Sequence, residues 1–208
     1  MPASSTWPLI HAERQALIAD LENLDEAAWT KPSLCQEWTV HGMLGHMTAT
    51  AKMTPPAFFA KLAASGFKFN AMTAKESGKE TAAGPAATLA EFKTVQTATK
   101  HPPGPADTWL GETVIHAEDI RRPLGITRKY PDEALIRVAD FYKNSNLIVG
   151  AKDRIAGLRL TATDAEWSHG TGPEVSGPLL SLVMAMTGRA AALADLSGPG
   201  LETFRSRF

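Results

Sequence analysis

The chain has 208 residues with 44% hydrophobic and 21% charged side chains, enough to bury a sizeable core in one domain, or one domain plus a small appendage. A net charge of −1 and a pI near 6.6 give no basic excess for nucleic acid or an anionic membrane. The longest apolar run, 179–186, is too short to span a bilayer, and the first residues lack a signal-peptide pattern, so a cytoplasmic enzyme or binding protein is expected. Cys35 is the single cysteine, which excludes a disulfide framework and a multi-cysteine metal site.

Ser5 or Thr6 with Pro8 can start a helix, and Ile10, Leu17, Leu21 and Leu24 recur at helical spacing to about residue 28. Glu13, Arg14, Asp20 and Glu22 are assigned to its polar side. Residues 31–38 are a connection broken by Pro32, and Thr39 can cap a second helix over 40–53. Met43, His46, Met47 and Thr50 share one face of that helix, so a histidine sits in an inward-looking stripe. His41 is five residues from His46, about 140° away around an ideal helix, and is not expected to join it.

Residues 58–62 continue as helix, whereas the Gly-, Lys-, Ala- and Ser-rich stretch 65–85 reads as a long loop. Thr88, Leu89, Phe92, Val95 and Gln96 mark a third helix, closed by His101-Pro102-Pro103-Gly104. A fourth begins near Pro105 and Asp107 and is expected to end about Arg122, because Pro123 disfavours helical geometry there. A fifth starts at Pro131, with Leu135, Val138, Phe141 and Tyr142 on its apolar side. Residues 158–163 alternate like a strand, 167–173 form a turn, 174–176 a second strand, and 178–193 an apolar helix. The expected fold is mainly α, a helix bundle over 1–150 followed by a small α/β unit over 151–208.

The fourth helix carries the chemistry. Glu112 and His116 are four residues apart, so both project from one face, and buried carboxylates and imidazoles are costly unless paired or ligated. With His46 they offer two nitrogens and one oxygen to a borderline divalent ion, and three protein ligands leave an open position, as in catalytic zinc sites. The same set also suits the facial triad of a non-haem iron enzyme, and Glu112 and His116 alone could be an ordinary surface pair. Asp119 could orient His116 or pair with Arg122. Cys35 has no neighbour to lower its pKa and reads as packing, and Trp38 and Trp109 read as core anchors. His11, His101 and His169 have no evident partner, and 170–177 lacks the ending of a phosphate loop.

Residues 33–46, Ser-Leu-Cys-Gln-Glu-Trp-Thr-Val-His-Gly-Met-Leu-Gly-His, resemble the segment that opens the second helix in the mycothiol-dependent maleylpyruvate isomerase family, part of the DinB-like group of helix-bundle metalloproteins. Residues 112–125, with the core Ile115-His116-Ala117-Glu118-Asp119-Ile120-Arg121, resemble the family's second motif, and 167–178 with Thr187-Gly188-Arg189 resemble its C-terminal part. The resemblance implies a DinB-like four-helix bundle and a metal, usually zinc with nickel or iron as alternatives, held by His46, Glu112 and His116. It implies mycothiol or a similar low-molecular-weight thiol, whose metal-bound thiolate attacks a small electrophile in an isomerase or S-transferase reaction, with Arg189 as the candidate catalytic arginine. No nucleic-acid or membrane partner is expected, and a homodimer is left open. Gly42 stands where relatives often carry an acidic residue, and the stretch after the first strand is shorter than the resemblance leads one to expect of the isomerase, so another substrate is compatible. The competing readings are a DinB-like metal-binding module without turnover and a metal-dependent hydrolase or oxygenase using the same ligands.

Overall fold

Helices dominate the chain, and several begin where a side chain caps the first turn. A computed structural model describes residues 5–35, 37–147 and 149–208; Gln36 of the first motif and residues 1–4, on which the signal-peptide reading falls, lie outside the described residues. The described chain divides into two compact units, one up to Thr127 and one from Arg128.

In the first unit α1 (Trp7–Leu21) is followed by the short α2 (Glu26–Thr30), which starts where Asp25 accepts the Ala28 N–H at 2.7 Å. The first helix thus ends at Leu21, about two turns before the expected residue 28, because Asp25 offers a competing cap. Thr39 caps α3 (Val40–Lys52) by accepting the Gly42 N–H at 3.0 Å, as its position predicts. Thr54 caps α4 (Pro55–Ala64), and two prolines occupy its first turn, where a missing N–H costs nothing.

The stretch expected as a loop is α5 (Phe69–Thr81), followed by α6 (Pro85–Thr94). It lacks an apolar period because it packs on α3 through small groups, and among its buried residues are Met72, Glu76 and Ser77. Ser77 donates to the Gly42 carbonyl at 2.8 Å, and a Cβ on Gly45 would stand 3.1 Å from the Ser77 carbonyl oxygen, so glycine lets these helices touch. Buried Glu76 is neutralised by Lys61 and Lys79.

The helix that carries the chemistry is α7 (Ala106–Leu124), which runs through Pro123 and stops at Gly125 in the left-handed region. Ile126 N–H to Arg121 C=O (3.0 Å) and Gly125 N–H to Arg122 C=O (3.1 Å) close its end. Pro123 is tolerated in the last turn because the carbonyl its ring leaves unbonded, that of Asp119, accepts the Leu34 N–H at 3.0 Å. Two side-chain bonds of equal sequence separation, Thr6 to Asp107 (2.9 Å) and Arg121 to Asp20 (2.7 Å), show that α1 and α7 run side by side in the same direction. Leu17, Leu21, Met43, Leu44, Met47, Phe92 and Ile120 fill the core between these helices.

The second unit contains α8 (Asp132–Tyr142), α9 (Ala151–Arg154), β1 (Arg159–Ala162), β2 (Ser168–His169), β3 (Glu174–Gly177), α10 (Leu179–Met186), a 3-10 turn (Ala190–Asp195) and α11 (Leu201–Arg205). The sheet order is β2-β1-β3; β1 pairs antiparallel with β2 (Leu160 opposite His169) and parallel with β3 (Leu160 opposite Val175). The unit begins earlier than residue 151 because α8 packs on α10 and its Asp140 accepts the Trp167 indole N–H at 3.0 Å. The helix expected over 178–193 ends at Met186, where Gly188 turns left-handed at φ +92. The mainly α chain with a small C-terminal α/β unit agrees with the expectation. Among the described residues no helix is long and apolar enough to cross a membrane.

Candidate metal centre

His46 lies midway along α3, on a stripe whose neighbours Met43, Met47 and Thr50 are buried. Glu112 and His116 project from α7 toward it. One ligand atom of each of the three residues lies within 4.8 Å of the others. His46 Nε2 is 3.9 Å from Glu112 Oε1, and the two imidazoles meet edge to face with centroids 5.0 Å apart. Three donors at about 2.1 Å from a tetrahedral ion stand about 3.4 Å apart, so small side-chain movements would close this cluster on a metal.

Burial sets the electrostatics. It drives the His46 pKa down to about 3, helped by the neighbouring His116 and opposed by Asp119, so His46 is neutral with a nitrogen lone pair available. Burial pushes Glu112 up, against His116, the Arg14 guanidinium and a hydrogen bond with Thr50. Glu112 Oε1 is buried and has no hydrogen-bond partner among the described residues. A buried carboxylate oxygen left unpaired is expensive, and a cation at this point would satisfy it. Two imidazole nitrogens, one orphaned carboxylate oxygen and an open fourth direction fit a borderline divalent ion.

The surrounding residues steer these groups. Asp119, fully buried, is 2.9 Å from His116 Nδ1, so this carboxylate holds that nitrogen as the N–H and turns Nε2 toward the cluster. The alternative partner, Arg122, bonds Glu118 at 3.3 Å. The main-chain carbonyl of the same Asp119 pins Leu34, anchoring the connection that ends in Trp38, whose ring lies 5.5 Å from that of His46. Arg14 was assigned to the polar side of the first helix but is buried, donating to the carbonyls of Val95 (3.1 Å) and Ala98 (2.9 Å). Burial lowers its pKa and Glu112 raises it, so its cation offsets the carboxylate. A sequence signal existed, since Ile10, Arg14, Leu17 and Leu21 share one helical stripe. Thr50 was visible on the His46 face, but its bond to Glu112 required the fold.

Other sequence candidates stand apart. His41 bonds Thr88 at 2.9 Å, away from the cluster as its spacing predicts. His11 lies against the Ala98 carbonyl, and His101 stacks on Trp109 at 5.7 Å. Cys35 is half-buried against the core of the first unit. Arg189 belongs to the second unit, where it precedes the 3-10 turn and donates to the Thr187 carbonyl at 2.9 Å.

Residues 10–100 match the family model described as the mycothiol maleylpyruvate isomerase N-terminal domain. Over this segment, somewhat less than half of the chain, the sequence is similar to that N-terminal domain. The match includes His46 and ends before Glu112 and His116. The whole fold is similar to the crystal structure of the mycothiol-dependent maleylpyruvate isomerase, at 16% identity and TM-score 0.64, over 96% of this chain and 93% of that one. A His-to-Ala mutant of that enzyme superposes with TM-score 0.62 at the same identity and coverage. At this identity the likeness describes the fold. Comparison with curated proteins gives no match.

Proposed function

We propose that this protein is a metal- and thiol-dependent isomerase or S-transferase, with His46, Glu112 and His116 as ligands and mycothiol or a similar small thiol as co-substrate. The observation that carries the reading is the convergence of three donor atoms around a buried, unpaired Glu112 oxygen. A divalent metal there, with zinc the natural fit to this donor set, would favour the thiolate form of a bound thiol and polarise a carbonyl. The match to the mycothiol maleylpyruvate isomerase N-terminal domain supports the thiol, and the substrate class proposed is a small molecule with a double bond conjugated to a carbonyl.

The chain's own residues supply position and charge. Asp119 holds His116 in one tautomer, Thr50 and Arg14 stabilise the Glu112 carboxylate, and Trp38 screens His46 from water. Thiolate addition forms an S–C bond and moves the double-bond electrons onto the substrate carbonyl. Rotation about the new single bond and loss of the thiolate then break S–C and restore the double bond in the other geometry, with no net proton transfer. In the transferase variant the adduct is protonated and released. Arg189 is proposed to take a carboxylate end of the substrate, which a guanidinium binds in bidentate fashion.

The test is elemental analysis of purified parent and His116→Ala protein, both confirmed folded. About one divalent ion per chain in the parent, lost in the variant, is expected. A parent that neither contains nor takes up metal overturns the reading. With metal established, electrophiles are screened with and without mycothiol. Activity without thiol would assign a hydrolase, or an oxygenase if oxygen is consumed, and binding without turnover would assign a metal-binding module.

A further inference from the structure

A cavity of about 260 Å³ opens where Glu37 and Trp38 meet α3 and α5. None of the three candidate ligands lines it, but Trp38 does, and that ring also stands 5.5 Å from the ring of His46. Small residues form its floor, Gly42 on α3 with Ala74 and Gly78 on α5. A Cβ at Gly42 would come within 3.2 Å of Trp38 Cε3, whereas a Cβ at Gly78 would meet nothing within 4 Å.

The polar groups of its wall accept hydrogen bonds. Ser77 donates its one hydroxyl hydrogen to the Gly42 carbonyl at 2.8 Å. Thr81 shares its own between the carbonyls of Ser77 (3.2 Å) and Gly78 (3.3 Å). Both oxygens therefore keep only lone pairs for a ligand. The indole turns Cε3 to Gly42, on the edge opposite its N–H. The main-chain N–H groups of Gly42 and Trp38 are taken by Thr39 Oγ1 (3.0 Å) and the Cys35 carbonyl (2.9 Å). Glu37 adds a negative charge: it is exposed, and its carboxylate makes no hydrogen bond or ion pair among the described residues. No lysine, arginine or histidine lines the cavity, and Lys79 of α5 is held by Glu76.

We propose that this cavity binds a small primary ammonium ion, an amine on a short aliphatic chain. The ligand must bring the donors, because the wall side chains bring acceptors, and it must be cationic, because the one charge at the cavity is a carboxylate. An alkylammonium head meets both demands with three N–H donors and a positive charge. It makes a charge-assisted hydrogen bond to Glu37 and gains from the face of Trp38. An alcohol lacks the charge, a quaternary ammonium lacks the donors, and an anion is repelled by Glu37. The volume lies just below the roughly 300–1,000 Å³ of sites for drug-sized ligands, so the tail is a few carbons long and lies on the glycine and alanine floor. No metal ligand lines the cavity, so the inference stands apart from the metal reading, and it sets the occupant against the ring that screens His46.

The experiment is an NMR titration of the full chain with n-butylammonium chloride at neutral pH. It is read at the Trp38 indole N–H, which Trp38→Phe assigns, and at the Gly78 amide. Both signals are expected to shift and saturate together with a dissociation constant of about 1 mM, as a ligand of so few atoms supports. n-Butanol, butyrate and tetramethylammonium should bind at least about tenfold more weakly. Glu37→Gln, isosteric and exposed, should weaken butylammonium by a similar factor, at least about tenfold. Gly78→Leu, which the helix accepts and which fills the cavity, should abolish binding while the rest of the spectrum shows the fold intact. Shifts that do not saturate, n-butanol binding as tightly as butylammonium, or a folded Glu37→Gln with the parent's affinity overturns the proposal. Tetramethylammonium binding as tightly as butylammonium also overturns it, and assigns the Trp38 face alone as the cation site.

Discussion

Removing the Asp119 carboxylate should loosen metal binding while leaving the bundle folded. The carboxylate is fully buried and reaches His116 Nδ1 at 2.9 Å, and its other anchoring role, accepting the Leu34 N–H, belongs to the main chain and survives any side-chain change. In Asp119→Ala the His116 ring loses its orienting partner and both tautomers become available. Outer partners of metal-bound histidines typically contribute 10–100-fold in affinity, so the variant should weaken metal binding by that factor, or about 1.4–2.8 kcal/mol. Asp119→Asn keeps an acceptor for Nδ1–H and loses the negative charge, and should fall between parent and alanine. The assay is competition between protein and a chromophoric chelator for zinc, with thermal unfolding of the metal-free proteins in parallel. A folded Asp119→Ala with the parent's zinc affinity refutes the reasoning.

Two glycines in the first unit predict opposite effects of the same substitution. A Cβ at Gly45 would meet the Thr81 methyl at 2.5 Å and the Ser77 carbonyl at 3.1 Å, so Gly45→Ala should cost about 1–2 kcal/mol in urea unfolding even after its helix-propensity gain. At Gly78 nothing lies within 4 Å, so Gly78→Ala should stabilise by about 0.5–1 kcal/mol. Equal signs for the pair would refute the close α3–α5 contact. For pH, the folded His46 pKa of about 3 lies below its usual 6.5, so between these values the unfolded chain binds the extra proton. Stability of the metal-free protein should therefore rise as pH increases from about 3 to 6.5 and fall on acidification, and His46→Gln should flatten that slope in chemical denaturation. Arg14→Met leaves the Val95 and Ala98 carbonyls without their donor and Glu112 without its nearby cation. It should cost about 2–4 kcal/mol and move the acid limit of metal binding to higher pH, and a neutral result in both measurements would remove Arg14 from the site.

What could be read from the residues followed from local physics. Thr39 before an apolar run dictated the start of α3, Gly125 dictated the end of α7, and the four-residue spacing of Glu112 and His116 put both on one face. The failures arose where distant groups changed the local rules. The stretch 69–81 has no apolar period, yet it is a helix because α3 offers it a glycine-lined surface and two lysines neutralise its buried glutamate. Pro123 would ordinarily end a helix, but the Leu34 N–H, nearly ninety residues earlier in sequence, satisfies the carbonyl it frees. Residue 150 looked like a boundary because the periodicity changes there, while α8 joins the second unit through Trp167 and α10.

By itself, the sequence determined a mainly α chain, the caps that set its principal helices and a pair of candidate ligands on one helical face, because each depends on bonds within a few residues. Tertiary structure alone decided the rest. It brought His46 beside Glu112 and His116, gave Asp119 to His116, and buried Arg14 where its charge offsets a carboxylate. Such pairings depend on the register of α3 and α1 against α7, and that register is set by the packing of the whole core, which no short window of residues contains.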